Sequence, residues 1–359
     1  MKNKKISIVD VAKEAGVSIA TVSRVMNEPR KVGESSRKKV HDAFDTLHFV
    51  PHVYTKKNND KKNKTLALIV PSASNAFFSK MVEGVLMASD ENQIRVLVFS
   101  CHGKTENEEI CLRSAAKACV DGVLFCPLCD GSSSLVRQLF PKDFPLLILY
   151  RRDYLSGVPH IYHNNVQGGY LATKLLLKSG RRNIAFFVSF WRPPVETLEE
   201  MLSYMDGPKR GSYSSLDRLF GYQMALEEVG LSVDETLLSM TSYDFEGGYQ
   251  QAKKFISRLR DFDSVVCSND SVAAGVMQAL HEQNILVPEQ VSIVGYDDSV
   301  LAEITRPGLT SVHQDPERLG KCAVAMCLSL FEGESVPDMV LDTHLTIRNS
   351  TAMRQEISS

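Results

Sequence analysis

The sequence predicts an α/β protein: a small N-terminal helix-turn-helix unit ahead of a two-lobed core of doubly wound parallel sheets. Three observations carry this. From Leu66 onward, short apolar runs of strand character alternate with helical segments. The alternation comes in two successive series, one per lobe. The first 64 residues differ from the rest in charge and carry only helical periodicity. At 359 residues the chain has the length of two or three domains of roughly 100–200 residues each.

The composition is that of an ordinary soluble protein, 43% hydrophobic and 23% charged. No apolar run approaches the ~18 residues of a membrane span, and the opening MKNKKISIVD has no signal-peptide apolar region. Both points argue for a cytoplasmic protein without membrane contact. The net charge of −2 conceals an asymmetry. Residues 1–64 hold 15 Lys+Arg against 7 Asp+Glu, net +8, and the remainder 26 against 36, net −10. A basic arm suited to a polyanion thus precedes an acidic body, although a merely solvated tail has the same charge.

In the basic arm, Ser7 caps a helix over Ile8–Ala15, where Ile8, Val11, Ala12 and Ala15 fall at i, i+3, i+4 and i+7. Gly16 stops it. Ser18 caps a second helix, Ile19–Met26, with Val22, Val25 and Met26 as its buried stripe. A third, about Glu34–Leu47, covers the pair with Val40, Phe44 and Leu47 and turns Arg37, Lys38 and Lys39 outward. Two short helices joined by a glycine turn can place the second in a major groove. Its first turns, from Ser18 through Asn27, then reach DNA. Ile19 and Ala20 offer apolar contact, Arg24 suits guanine, and Thr21 and Ser23 suit phosphate. A small helical bundle with incidental surface residues is the plainer alternative.

The run IVDVAKEAGVSIATVSRVMN, with Lys31-Val32, Arg37, Val40, Leu47, Phe49 and Pro51, resembles the LacI/GalR family of bacterial transcriptional regulators. The resemblance implies a DNA-reading headpiece (1–48), a hinge (49–64), and an effector-binding, dimerising core. It also implies that this core is type-I periplasmic-binding-protein-like and spans 65–352, with a tail at 353–359. The first lobe is then about 65–163 with 315–343, and the second about 164–314 with 344–352. One departure concerns the hinge. Where the family wedges a leucine into the minor groove, this chain has Asn58 within KKNNDKKNK, and asparagine supplies no apolar wedge. The stretch reads as a flexible basic linker whose Lys56 and Lys57 bind phosphate with little bending of the DNA.

Ligands of doubly wound sheets sit beyond the carboxyl ends of strands. In order, those ends carry Ser74, Phe77 and Phe78 after LALIV, Arg151 after LLILY, Asn269-Asp270 after SVVCS, and Asp297 after VSIVGY. The resemblance adds Arg218, at an effector-contacting arginine of the family, Tyr243 at a common aromatic position, and Gln314 at a lobe crossover. A carboxylate, a guanidinium, an amide and an aromatic face suit a small polar effector such as a sugar or nucleobase. Each strand-end polar residue also has a plain role as a helix cap. Two further departures touch the cleft: Asn164-Asn165 replaces an Asp-Asn pair, and 33 residues separate Ile184 from Arg218, more than in typical relatives. The extra segment reads equally as a lid or as surface decoration.

Eight cysteines lie scattered through apolar segments and read as reduced thiols. Cys126 and Cys129 have redox spacing but lack companion ligands for zinc. With no phosphate loop, HExxH or Ser-His-Asp set, no metal, cofactor or enzymatic activity is expected. The sequence therefore predicts a repressor acting as a homodimer or tetramer on pseudo-palindromic operator DNA. A solute-binding protein sharing the core is the alternative.

Overall fold

The computed structural model describes residues 7–27, 31–47, 64–190, 197–205, 213–257 and 261–352. Helix α1 (Ile8–Ala15) opens on a reciprocal cap, in which Ser7 Oγ accepts from the Asp10 amide and the Asp10 carboxylate accepts from the Ser7 amide. Gly16, at a φ of 62°, ends it in the left-handed region that glycine enters freely. Helices α2 (Ile19–Asn27) and α3 (Glu34–Thr46) complete the unit. Val11, Val22 and Val40, one from each helix, are fully buried at its centre.

The core begins with β1 (Thr65–Val70), α4 (Ala76–Glu91), β2 (Arg95–Ser100), α5 (Thr105–Lys117), β3 (Gly122–Phe125), α6 (Ser133–Leu139), β4 (Leu146–Leu149) and β5 (His160–His163). It continues through α7 (Asn165–Lys178), β6 (Ile184–Ser189), α8 (Leu198–Met205), α9 (Ser214–Glu227), β7 (Leu238–Thr241), α10 (Phe245–Ile256), β8 (Ser264–Cys267) and α11 (Asp270–Glu282). Then follow β9 (Ser292–Asp297), α12 (Val300–Ile304), β10 (Thr310–His313), α13 (Pro316–Phe331), β11 (Met339–Leu341) and β12 (His344–Thr346).

The strands form two sheets, ordered β11-β5-β4-β3-β1-β2 and β12-β10-β9-β8-β6-β7. The first is parallel throughout. The second is parallel except at its edge, where β12 runs antiparallel to β10 and departs from the purely parallel expectation. Strand β12 follows β11 of the other sheet after two residues, so it joins the second sheet directly from the first and not through a helical crossover within one sheet. Both sheets are covered on two faces. In β1, Leu66, Leu68 and Val70 enter one apolar cluster while Ala67 and Ile69 enter another. In β6, Ile184, Phe186 and Val188 divide from Ala185 and Phe187 in the same way. Period-two alternation with apolar residues on both sides is what a sandwiched strand requires.

The chain passes between the sheets three times: from β5 into α7, from β10 into α13, and from β11 into β12. The three passages are tied to one another. The Asn164 amide donates to the Leu341 carbonyl, Thr343 Oγ1 donates to the Asn164 carbonyl, and the Asp315 amide donates to His163 Nε2.

Candidate functional site

On the helical unit, α2 turns Val22 and Val25 inward, leaving Ser18, Ala20 and Arg24 exposed and Ile19 48% exposed. Ser18 Oγ accepts from the Thr21 amide at 3.1 Å and shares a 2.9 Å hydrogen bond with Thr21 Oγ1. Both hydroxyls thus serve the start of the helix, and Thr21 is half-buried. Ser23 and Arg37 are half-buried, and Lys38 and Lys39 are exposed. Asn27 lies on the helix, but its side chain, like Lys56, Lys57 and Asn58, falls outside the described residues.

On one face of the second sheet, α7 and α9 cross so closely that a Cβ on Gly169 would lie 1.9 Å from the Arg218 carbonyl oxygen. Only glycine permits this approach, which sets Arg218 beside the first turn of α7. Its Nε donates to Asn165 Oδ1 at 2.9 Å, and its terminal nitrogens donate to the Ser268 carbonyl and, at 3.5 Å, to Tyr150 Oη. The guanidinium lies 3.7 Å over the Tyr296 ring and is fully buried. Burial opposes its charge, but the surrounding Tyr150, Tyr296 and Asp297 outweigh burial and raise its pKa.

Asp297 stands at the end of β9 with φ 100°. Its Oδ1 accepts from Gln314 Nε2 at 2.8 Å. Behind it, Asp270 accepts from Ser311 Oγ and the Ser299 amide, both at 2.6 Å. Burial raises both carboxyls; the Asp297 charge pushes Asp270 further, while Arg218 and Gln314 restrain Asp297. Ser299, not Asp297, precedes α12, so Asp297 has no capping duty there. Three buried polar atoms in this region lack a protein partner: Tyr296 Oη, His163 Nδ1 and Gln314 Oε1. Burial, then the Arg218 charge, lowers the His163 pKa to about 3, so its ring is neutral. With Nε2 accepting from Asp315, Nδ1 bears the hydrogen and is an unused donor.

The aromatic part of the cleft adjoins this polar part through Tyr150. Phe77 packs 5.3 Å from the Tyr150 ring and 5.9 Å from His163. Tyr243 Oη shares a 2.6 Å hydrogen bond with Ser215 Oγ. Arg151 pairs with Asp130, its guanidinium 4.1 Å over the Tyr213 ring. A narrow gap remains, bordered by Leu128, Tyr150, Arg151, Phe190, Tyr213 and Tyr243.

The structure thus gathers Phe77, Arg151, Arg218, Tyr243, Asp297 and Gln314 along one cleft. It gives two other expected residues different employment. Asn269 is the cap of α11, with Oδ1 accepting from Val272 and Nδ2 donating to the Tyr243 carbonyl. Ser74 lies exposed with its hydroxyl bonded to Ser72. Phe78, like Phe77, is a buried member of the first-lobe core and packs on Tyr150, its ring 5.2 Å away. Sequence reading placed Asn165 beside the cleft and Tyr296 at the same strand end as Asp297 without giving either a contact, and it passed over Tyr150, His163 and Tyr213. Tyr150 closes a strand-end run, a signal that was present; His163 enters only through the packing of the crossover into α7. In the long segment before Arg218, α8 buries Met201 in the second-lobe core, so its described part packs as an integral helix.

The eight cysteines are free. Cys126 Sγ lies against Met81 Sδ and Cys129 Sγ donates to the buried Glu108, so the redox spacing forms no bond. Burial raises both thiols, which disfavours the reactive thiolate. Among the described residues no helix is long and apolar enough to cross a membrane.

A DNA-reading helical unit joined to a two-lobed ligand-binding fold defines a DNA-binding transcriptional regulator, and comparison with known proteins agrees. Residues 7–52 match the family "Bacterial regulatory proteins, lacI family", and residues 173–351 match "Periplasmic binding protein-like domain". The chain is 32% identical to the HTH-type transcriptional regulator RegA of Clostridium saccharobutylicum, over 96% of this chain and 99% of that one. It is 29% identical to the HTH-type transcriptional repressor PurR of Vibrio atlanticus, over 94% and 96%. Among solved structures, a complex of the regulator CelR with cellobiose superposes with a TM-score of 0.70 at 28% identity, covering 96% of this chain and all of that one. The lac repressor dimer bound to operator shares the fold, at a TM-score of 0.69 and 24% identity, with 97% of this chain and 100% of that one covered. The chain belongs to the LacI family of bacterial transcriptional regulators.

Proposed function

We propose that the protein is a repressor that binds pseudo-palindromic operator DNA as a homodimer and is modulated by a small hydroxyl-rich effector, a sugar or related metabolite, held between its lobes. The cleft carries this reading. Asp297 offers acceptors to hydroxyls, Arg218 offers donors, and Gln314 Oε1, His163 Nδ1 and Tyr296 Oη are buried polar atoms without protein partners. Such atoms cost free energy unless a water or ligand meets them. The CelR and PurR likenesses support an effector-responsive repressor.

In the helical unit, Ile19, Ala20 and Arg24 reach base edges, and Arg37, Lys38 and the lysines of 56–64 hold phosphate. Dimerisation is supported by the edge strand β2, where Leu97 is 39% and Val98 41% exposed, and by Leu86 and Met87 on α4, 39% and 43% exposed. The test is fluorescence anisotropy with a library-selected duplex, with and without sugars that raise the melting temperature. A ligand at 100 times its Kd adds about 2.7 kcal/mol of stability. The reading requires salt-dependent binding to paired half-sites and a change in affinity with ligand; binding that ignores every stabilising ligand removes the effector claim.

A further inference from the structure

We propose that His313 and His344 form a site for a divalent transition-metal cation of the zinc class, outside the cleft and independent of the effector reading. The two residues stand far apart in the sequence, at the end of β10 and the start of β12, and the antiparallel pairing of those strands sets them directly opposite each other. Directly opposed residues project from the same face of a sheet. The neighbouring pair, Val312 and Leu345, turns to the other face, where both join the apolar cluster of α7 and α9. The histidine rings lie with centroids 4.5 Å apart, tilted by 33°. His344 is exposed and the His313 side chain is 35% exposed, so a hydrated ion reaches both.

The support behind His313 distinguishes this pair from a chance stacking. Its Nδ1 lies 3.0 Å from Asp298 Oδ2, which also accepts from Thr346 Oγ1 at 2.7 Å, while Oδ1 pairs with Arg348 at 2.7 Å. Burial opposes the Asp298 charge, but hydrogen bonds from Thr346, Arg348 and His313 outweigh burial and hold the carboxyl below the usual aspartate range. An ionised carboxylate only accepts, so Nδ1 carries the hydrogen, and in the neutral ring Nε2 bears a free lone pair. A carboxylate behind one ring nitrogen fixes the tautomer and raises the basicity of the other, which is the support that metal-binding histidines have. With both oxygens engaged, Asp298 orients the ring and does not ligate.

Among the described residues no group of three or more His, Cys, Asp and Glu side chains is gathered to hold a metal ion, so the protein supplies two imidazoles and water the remaining positions. Two nitrogens bound to one zinc at about 2.0–2.1 Å lie about 3.3 Å apart. Rings 4.5 Å apart at their centres reach that separation when the exposed His344 side chain rotates. Imidazole donors suit zinc, copper and nickel, where magnesium and calcium take oxygen. The bound ion ties β12 to β10 across a pairing only three residues long, and these strands carry two of the three passages between the lobes.

The experiment titrates the reduced, chelator-treated full-length protein with Zn²⁺ by calorimetry and with Co²⁺ by absorption. Cobalt separates imidazole from thiolate ligation, because sulfur gives an intense near-ultraviolet charge-transfer band. The parent should show a site that His344→Gln and His313→Gln each weaken tenfold or more, with no sulfur band. Asp298→Asn, which keeps both imidazoles and loses the anion behind one, should fall between the parent and those variants. Since His344 is exposed, its replacement leaves the fold intact. Zinc binding unchanged in His344→Gln, a sulfur band at the site, or no binding at millimolar Zn²⁺ overturns the inference.

Discussion

Arg152, just beyond β4 of the first lobe, and Asp217, in the first turn of α9 of the second, meet in a two-pronged ion pair. Nε to Oδ2 is 2.9 Å, and a terminal nitrogen reaches Oδ1 at 2.7 Å. Asp217 is 3% exposed, and the Arg152 side chain is 29% exposed. This pair joins segments that the sequence holds 65 residues apart, and it draws the lobes together at the mouth of the cleft.

Asp217→Asn should therefore loosen the closed arrangement. Because Arg152 is partly open to solvent, the loss is put at about 1–2 kcal/mol, below that of a fully buried pair. Small-angle scattering of the ligand-free variant should show a larger radius of gyration than the parent. An unchanged scattering profile would mean that the pair is incidental to closure.

On the DNA side, Arg24→Ala should cost about 1–3 kcal/mol of discrimination at a single base position, the scale of a lost two-pronged guanine contact. Lys38→Ala should instead weaken all sequences alike and shallow the salt dependence by about one unit of slope. Selection from a random duplex library reads both. Unaltered base preferences with Arg24→Ala would reassign that side chain to the phosphate backbone.

Asp297 and Arg218 will not behave alike when replaced. Removing Arg218 strands the Asn165 and Ser268 oxygens, at about 1–3 kcal/mol for each buried acceptor, so Arg218→Ala should lower the melting temperature before any ligand is considered. Asp297→Asn keeps an oxygen for Gln314 and should fold nearly as the parent does while binding effector tenfold or more weaker. Since burial raises the Asp297 carboxyl above the ordinary aspartate value near 4, it takes up a proton within the mildly acidic range. Effector affinity should accordingly fall as the buffer is taken from pH 8 to pH 5, and Asp297→Asn should flatten that slope. A slope that persists in the variant would place the titrating group elsewhere.

His163 makes the opposite contribution to stability. Its folded pKa of about 3 lies below the unfolded value near 6.5, so its contribution is intact above pH 6.5 and is lost as the pH falls from there toward 3. At pH 5 the loss is about 2 kcal/mol. Asp270 and Asp297 work the other way, gaining on acidification because their folded pKa values are raised. Urea denaturation of His163→Gln and the parent at pH 7 and pH 5 separates the effects: the variant should lose less stability between the two. Equal losses would count against a neutral, buried imidazole.

Local signals carried well and distant ones did not. The helical unit was legible to within a residue because Ser7, Gly16 and Ser18 mark its boundaries through their own backbone neighbours. Helix α4 starts at Ala76 behind another local cap, Asn75, whose Oδ1 accepts from the Phe77 and Phe78 amides. Strands such as β7, β11 and β12, three or four residues long, fall below any useful periodicity. In the cleft, Asp297 was legible as a strand-end carboxylate, whereas Asn269, just as polar and just as placed, is spent on a cap. Asp217 gave no signal, since its partner is fixed by the meeting of two lobes.

The three ties among the passages at Asn164, Asp315 and Thr343 fasten the lobes as knuckles are fastened by a single pin. Sliding or separating the halves would tear several bonds at once, while turning about the pin spares them. A relative movement of the lobes that kept these bonds would be a rotation about the passages, and it would displace the rims of the lobes further than the residues beside the pin, the first lobe being the one whose opening strand follows Lys64.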